Sequence, residues 1–350
     1  MKYHERMSSK DRVEKLYKGE ELDRVPFFSN STIYAGVLGR LKSEEFYLNQ
    51  ERSYEVQRLT LDLHNCDGNP AFDFPGYAGL FFGGEIKFKD NPHFGLPILK
   101  PFVKSLDDID KLVMPNLNKN PHLKERINFL KILDKNGVSI SITMGSPLEI
   151  AGNICDTRLL LKLFSKNTDK LHLLLKYATN YLKQLGDITI EMFGVDKCSC
   201  SANFPIDSLI SPKLFEMYSL PYFYEIYEYF KKKGVKSYSL HLCGNHNKKL
   251  NYFKEMNLPE KTFISLDEKI DLEFADSILG DKYILGGNVS TSILMSGSPS
   301  EVYNASRNII TKNKFRDGGF VLMPSCTLPP YTPPLNVFAM YRACEDFGRY

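Results

Sequence analysis

Three side chains suit one metal ion. His241 and Cys243 lie two apart on a short strand, and Cys326 follows another strand end far down the chain. Residues two apart on a strand project from the same face. Strands two units apart in a barrel can bring their ends within reach of a single ion. One imidazole and two thiolates suit zinc, and three protein ligands leave a fourth position for water or substrate, as in catalytic zinc sites. Zinc held this way is a weak Lewis acid toward water. It can still lower the pKa of an incoming thiol or hydroxyl and hold the anion as a nucleophile. That chemistry favours group transfer over hydrolysis. The same spacing also fits a hydrogen-bonded core histidine beside a small apolar cysteine.

Other polar residues gather at strand ends. Asp267 and Glu268 follow the 262–266 strand, as a carboxylate pair near the metal or as an N-cap feature before Asp271. Asn288 ends the 283–287 strand. Cys198 and Cys200 form a rival Cys-x-Cys pair, which also reads as loop or core thiols. Cys66, Cys155 and Cys344 read as structural. His246 reads as an exposed helix start or as a group supporting the site.

The elements that must position these residues follow a rhythm: a short apolar run, a polar turn, then a helical pattern. The first helix starts at Ser9 and ends at Gly19. Arg24 to Phe28 reads as the first strand. Residues 30–100, rich in Phe, Gly and Pro, read as a loop-rich insertion over a barrel mouth. The spacing predicts a helix over 120–136, a strand over 139–144, a helix over 168–185 capped by Gly186, and a strand over 188–193. A helix opening at Ser211-Pro212 is broken or kinked at Pro221 and closed by Gly234. Strands follow at 238–242, 262–266, 283–287 and 320–323, with helices at 246–256, 271–279, 299–312 and 336–347. Ser298, Pro299 and Glu301 make a capping-box start. Seven strand candidates alternate with helices, and an eighth can lie within 60–90. Alternation means a parallel sheet with crossover helices. No Gly-x-Gly-x-x-Gly loop follows a strand. The expected fold is therefore α/β, a (β/α)8 TIM barrel with N-terminal helical and loop extensions, as a single domain over 1–350.

Composition narrows the partners. With 45 Lys+Arg against 42 Asp+Glu the net charge is +3, too even to form the basic stripe that nucleic acid needs. The 24 Phe and 20 Tyr argue against disorder. No run approaches the ~18 apolar residues of a membrane helix, and Met1 to Asp11 carries no apolar leader core. Seven scattered cysteines, an odd count in a long chain, fit reduced thiols and a cytoplasmic location.

Leu240-His241-Leu242-Cys243-Gly244, Ile284-Leu285-Gly286-Gly287-Asn288-Val289, and Gly318-Gly319-Phe320 to Cys326 with Pro333, Asn336 and Ala339 resemble the uroporphyrinogen decarboxylase superfamily. Asp23-Arg24-Val25-Pro26, Ser146-Pro147 and Ile210-Ser211-Pro212 add to the resemblance, which spans nearly the whole chain. Within it the chain is similar to the corrinoid-dependent methyltransferase branch. The decarboxylases carry an Arg-Gln-Ala-Gly-Arg segment after the first strand; here Phe28 to Tyr34 holds no arginine. A tetrapyrrole with many acidic arms needs several guanidinium partners. A metal-free decarboxylase and a non-catalytic partner of a corrinoid protein are the alternatives. The resemblance implies zinc on His241, Cys243 and Cys326. It also implies methyl exchange between a small thiol, methoxy or methylamine compound and the cobalt of a separate corrinoid protein. It gives Asp267 or Glu268 as the group filling the open zinc position at rest, and Asn288 as a substrate hydrogen-bonder. A homodimer is compatible with it.

Overall fold

Short apolar runs become strands, and the amphipathic stretches between them become helices. The computed structural model describes residues 7–88 and 96–350. The leader reading at Met1–Arg6 and part of the 30–100 insertion lie outside them. Eight strands form among the described residues: β1 (Glu85–Lys87), β2 (Ile98–Lys100), β3 (Ile140–Thr143), β4 (Cys198–Asn203), β5 (Ser237–Leu242), β6 (Phe263–Leu266), β7 (Ile284–Val289) and β8 (Phe320–Pro324). β1 and β2 make an antiparallel pair; the other six form one sheet in the order β3-β4-β5-β6-β7-β8. Order in space follows order along the chain, as expected when each strand returns through a helix. Among the described residues no helix is long and apolar enough to cross a membrane.

The chain divides into two compact units. One holds Arg52–Ala71 and Leu240–Tyr350 with the chain up to Lys42; the other holds Ser43–Glu51 and Phe72–Ser239. In the first unit β7 runs parallel to β6 and β8, with Phe263 opposite Ile284 and Leu285 opposite Phe320. The expected strand at 24–28 is a short parallel bridge, Phe27 to Leu322. Phe28 N donates to Leu322 O at 3.0 Å, and Asp67 N donates to Phe27 O at 2.7 Å. Leu16, Phe263, Ile284, Val321 and Met323 form the core there. A buried ion cluster ties the N-terminal helix Ser9–Lys18 to this layer. The Asp67 carboxylate accepts from Arg12 Nη1 at 2.5 Å, from Arg24 Nη1 at 2.7 Å and from Phe27 N at 2.9 Å.

In the second unit β3 and β4 pair in parallel, Ile140 opposite Cys198 and Thr143 opposite Ser201. Here the expectations need correction. The predicted strand at 188–193 is helical: one helix runs Thr168–Phe193 and ends at Gly194, φ 83°. Gly186 does not cap it. A Cβ at Gly186 would lie 2.2 Å from the Phe230 ring and 3.0 Å from Ile142, so the glycine lets the helix pass close to its neighbours. The β-branched run Ile188-Thr189-Ile190 favours a strand locally, and tertiary packing overrides it. Cys198 and Cys200 are not loop residues; with Ala202 they form the buried face of β4. The region at 30–100 carries helices at Thr32–Leu38, Ser43–Leu48, Gln50–Leu63 and Tyr77–Phe81, more regular structure than a loop-rich insertion implies. The helices expected at 120–136, 246–256, 271–279, 299–312 and 336–347 form at Leu123–Lys135, Leu250–Glu255, Leu272–Leu279, Pro299–Asn313 and Pro334–Phe347, while those at Leu106–Asp110, Pro147–Ile154, Thr157–Leu163 and Thr291–Ser296 were not anticipated. Ser298 and Glu301 form the reciprocal capping box at the head of Pro299–Asn313. The helix pair Pro212–Tyr218 and Leu220–Lys232 divides at Ser219, just before Pro221.

Candidate metal centre

The centre lies within the first unit, at the ends of β5 and β8. Along β5 burial alternates. Leu240 and Leu242 are buried, and His241 is half-buried on the opposite face. Cys243 is the next residue, and Gly244 then turns the chain with φ 87°, a conformation L side chains rarely adopt. Cys326 lies two residues past the end of β8. One ligand atom from each of His241, Cys243 and Cys326 lies within 4.8 Å of the others. That is close to the span that bonds of about 2.0–2.3 Å to a single ion allow. No other trio of His, Cys, Asp or Glu is so placed among the described residues.

The histidine is pre-oriented. Its Nδ1 lies 2.9 Å from Ser265 Oγ, and that hydroxyl lies 3.4 Å from Leu240 O. A hydroxyl donating to the carbonyl accepts from Nδ1–H, which leaves the lone pair on Nε2. Nε2 is buried and has no hydrogen-bond partner. A buried acceptor without a partner costs free energy, and a cation would satisfy it. The Cys243 thiol, with the His241 ring beyond it, holds the Cys326 thiol well below its ordinary range, against the burial that pushes the other way. A thiol that ionises easily is a ready metal ligand. By contrast, burial pushes Cys66 and Cys155 up to about 12.

The three candidate catalytic residues are all engaged in hydrogen bonds. Asp267 accepts from Gly244 N through Oδ2 and from Lys269 N through Oδ1, each at 2.9 Å. Glu268 Oε2 accepts from Thr291 N at 2.9 Å and Ser325 Oγ at 2.8 Å. Asn288 Nδ2 donates to Asp267 O at 3.0 Å and Ile270 O at 2.9 Å. His246 is not exposed: it is fully buried, with Nε2 3.2 Å from Cys243 O. Cys198 and Cys200 take no part in the trio. Sequence reasoning missed Ser265 and Ser325, whose only signal is a hydroxyl at a strand end. It also missed an acidic cluster in the second unit. There Ser146 donates to buried Asp207 at 2.6 Å, and burial, with Asp207 and Asp73, pushes the Glu149 carboxyl up to about 8.

Comparison with known proteins adds relatives. The profile of the family described as "Uroporphyrinogen decarboxylase (URO-D)" matches residues 8–347. A methylcobamide:CoM methyltransferase MtbA of Methanosarcina mazei is 25% identical over 352 residues, covering 97% of this chain and 98% of its own. A methylcobamide:CoM methyltransferase MtaA of Methanosarcina barkeri is 25% identical over 353 residues, with the same coverage of both chains. A solved structure of a methyltransferase from Methanosarcina mazei superimposes with a TM-score of 0.76 at 23% identity, over 97% of this chain and 99% of that one. It shares the α/β fold.

Proposed function

The chain belongs to the uroporphyrinogen decarboxylase family, and on that premise we propose that it is a methyltransferase that works with a corrinoid. In this reading His241, Cys243 and Cys326 hold zinc. The methyl group passes between a small substrate and the cobalt of a partner corrinoid protein. The substrate class is a thiol such as coenzyme M, the molecule in the relatives' names, or a methoxy or methylamine compound. The observation that carries the reading is the meeting of one imidazole and two thiols, with His241 Nε2 buried and unpaired.

When bound, zinc supplies a Lewis acid that lowers the pKa of a substrate thiol or hydroxyl and holds its anion for displacement. The chain's residues do the rest. His241 offers Nε2 while Ser265 keeps the proton on Nδ1. The Cys243 and Cys326 thiolates place negative charge on the centre. That charge makes the site poor at activating water and better suited to holding a thiolate nucleophile. Displacement at a methyl group is in-line, so positioning carries much of the rate. Asp267, Glu268 and Asn288 hold the loops that present the ligands.

The test is metal content and turnover together. Purified wild type is expected to carry about one zinc per chain, and Cys243→Ser and Cys326→Ser to lose it, since each removes one of only three protein ligands. Mixing wild type with a methylated corrinoid protein and a thiol is expected to change the cobalt absorption spectrum; the variants leave it unchanged. Zinc content indifferent to both substitutions sinks the proposal. A metal-free decarboxylase predicts activity that survives chelation, so chelator treatment separates the two.

A further inference from the structure

The segment at the end of β6 reaches all three arms of the metal centre. Ser265 Oγ meets His241 Nδ1 at 2.9 Å. Asp267 Oδ2 accepts from Gly244 N, the residue after Cys243, at 2.9 Å. Glu268 Oε2 accepts from Ser325 Oγ, the residue before Cys326, at 2.8 Å. One short segment thus makes one contact per ligand: one directly to the ring, two to the neighbouring residue of a cysteine.

The segment is itself held. Asp267 N donates to Leu242 O at 3.2 Å, and Ile270 N donates to Asp267 O at 3.0 Å. Asn288, from the end of β7, donates to the carbonyls of both Asp267 and Ile270. β6 is buried along its whole length, and Ser265 is its one polar side chain. A hydroxyl there needs a partner, and His241 and Leu240 O supply two. The carboxylates have the chemistry of acid–base groups, but each already accepts two hydrogen bonds: Asp267 one on each oxygen, Glu268 both on Oε2.

We infer that Ser265, Asp267 and Glu268 form a three-pronged positioning device that sets the metal ligands in place before the ion arrives. They are positioning residues, each acting through its hydrogen-bonded neighbour, and the inference rests on the zinc reading above. Outer partners of metal ligands typically change affinity by about 10–100-fold when removed. A device with one prong per ligand predicts that range at all three positions. A catalytic acid or base predicts unchanged zinc affinity and a slower turnover.

The experiment measures zinc affinity by chelator competition in wild type, Ser265→Ala, Ser265→Thr, Asp267→Asn and Glu268→Ala, with cobalt(II)-substituted absorption spectra as a second readout. Thermal melting of the metal-free proteins confirms folding. Ser265→Ala, Asp267→Asn and Glu268→Ala are each expected to weaken zinc by about 10–100-fold. Ser265→Ala also shifts the cobalt bands as the ring loses its fixed tautomer, and Ser265→Thr, which keeps the hydroxyl, restores both. Glu268 is exposed, so its variant tests the device even if the buried Ser265→Ala fails to fold. Zinc affinity unchanged in Asp267→Asn and Glu268→Ala overturns the device. Wild type that binds no zinc overturns the metal reading itself, and the two failures are distinguishable.

Discussion

At the scale of residues, environment sorts seven chemically identical thiols. Cys66, Cys155, Cys198, Cys200 and Cys344 are buried, whereas Cys243 and Cys326 are half-exposed. Alkylation requires access and a thiolate. In zinc-stripped protein, iodoacetamide is expected to modify Cys243 and Cys326 first; in zinc-loaded protein it modifies neither at a comparable rate. Peptide mapping by mass spectrometry reads this directly. Equal labelling of a buried cysteine such as Cys200 counts against the assignment. The His241-x-Cys243 spacing was legible from the chain at the end of a strand-like run, although the strand itself stops at Leu242 and Cys243 follows it. The partner of Nδ1 was not, because Ser265 belongs to another strand and a lone serine carries no signal.

At the scale of elements, one glycine shows how packing outweighs local preference. Replacing an exposed helical glycine with alanine gains up to about 1 kcal/mol. At Gly186 the new methyl would lie 2.2 Å from the Phe230 ring, and overpacking costs typically about 1–3 kcal/mol. Gly186→Ala is therefore expected to lower the melting temperature, and adding Phe230→Leu to recover part of the loss. A rise in melting temperature on Gly186→Ala alone contradicts this account. The same contest explains the misread strand at 188–193. Ile188, Thr189 and Ile190 favour extended backbone in isolation. The buried stripe Leu171, Leu174, Leu175, Ala178, Leu182 and Leu185 carries the helix through them, and Thr189 Oγ1 bonds back to Leu185 O. The helix expected at 299–312 was readable because its capping box and Pro299 are local signals; the last helix, expected at 336–347, starts two residues earlier at Pro334, without a side-chain cap.

At the scale of the molecule, stability in the first unit depends on charges from distant parts of the chain. Asp67, with its side chain fully buried, binds Arg12 and Arg24, and Arg24 Nε lies 3.4 Å from Glu345. Removing one partner from a buried ion cluster leaves uncompensated charge and costs about 3–5 kcal/mol. Asp67→Asn is expected to lower the unfolding free energy by about that much, read as a fall in the denaturant midpoint, and a shift near zero would refute the cluster's role. Acid acts on the same cluster through Asp23. Burial raises that carboxyl, the Arg12 hydrogen bond lowers it further, and the net is below its ordinary range. Its contribution is complete above the unfolded value of about 3.9 and is lost as pH falls through the folded value. Denaturant midpoints followed down in pH should drop less steeply in Asp23→Asn. What the chain determined alone was the β/α alternation, most helix ends and the His241-x-Cys243 spacing. Each is written in periodicity, caps or residue type within a few positions. Tertiary structure alone decided that residues 188–193 are helical, that Cys198 and Cys200 face a core, that Cys326 meets His241 and Cys243, and that Ser265, Asp267 and Glu268 bond to His241, Gly244 and Ser325. Those outcomes depend on contacts between residues far apart in sequence, whose energies no local pattern records.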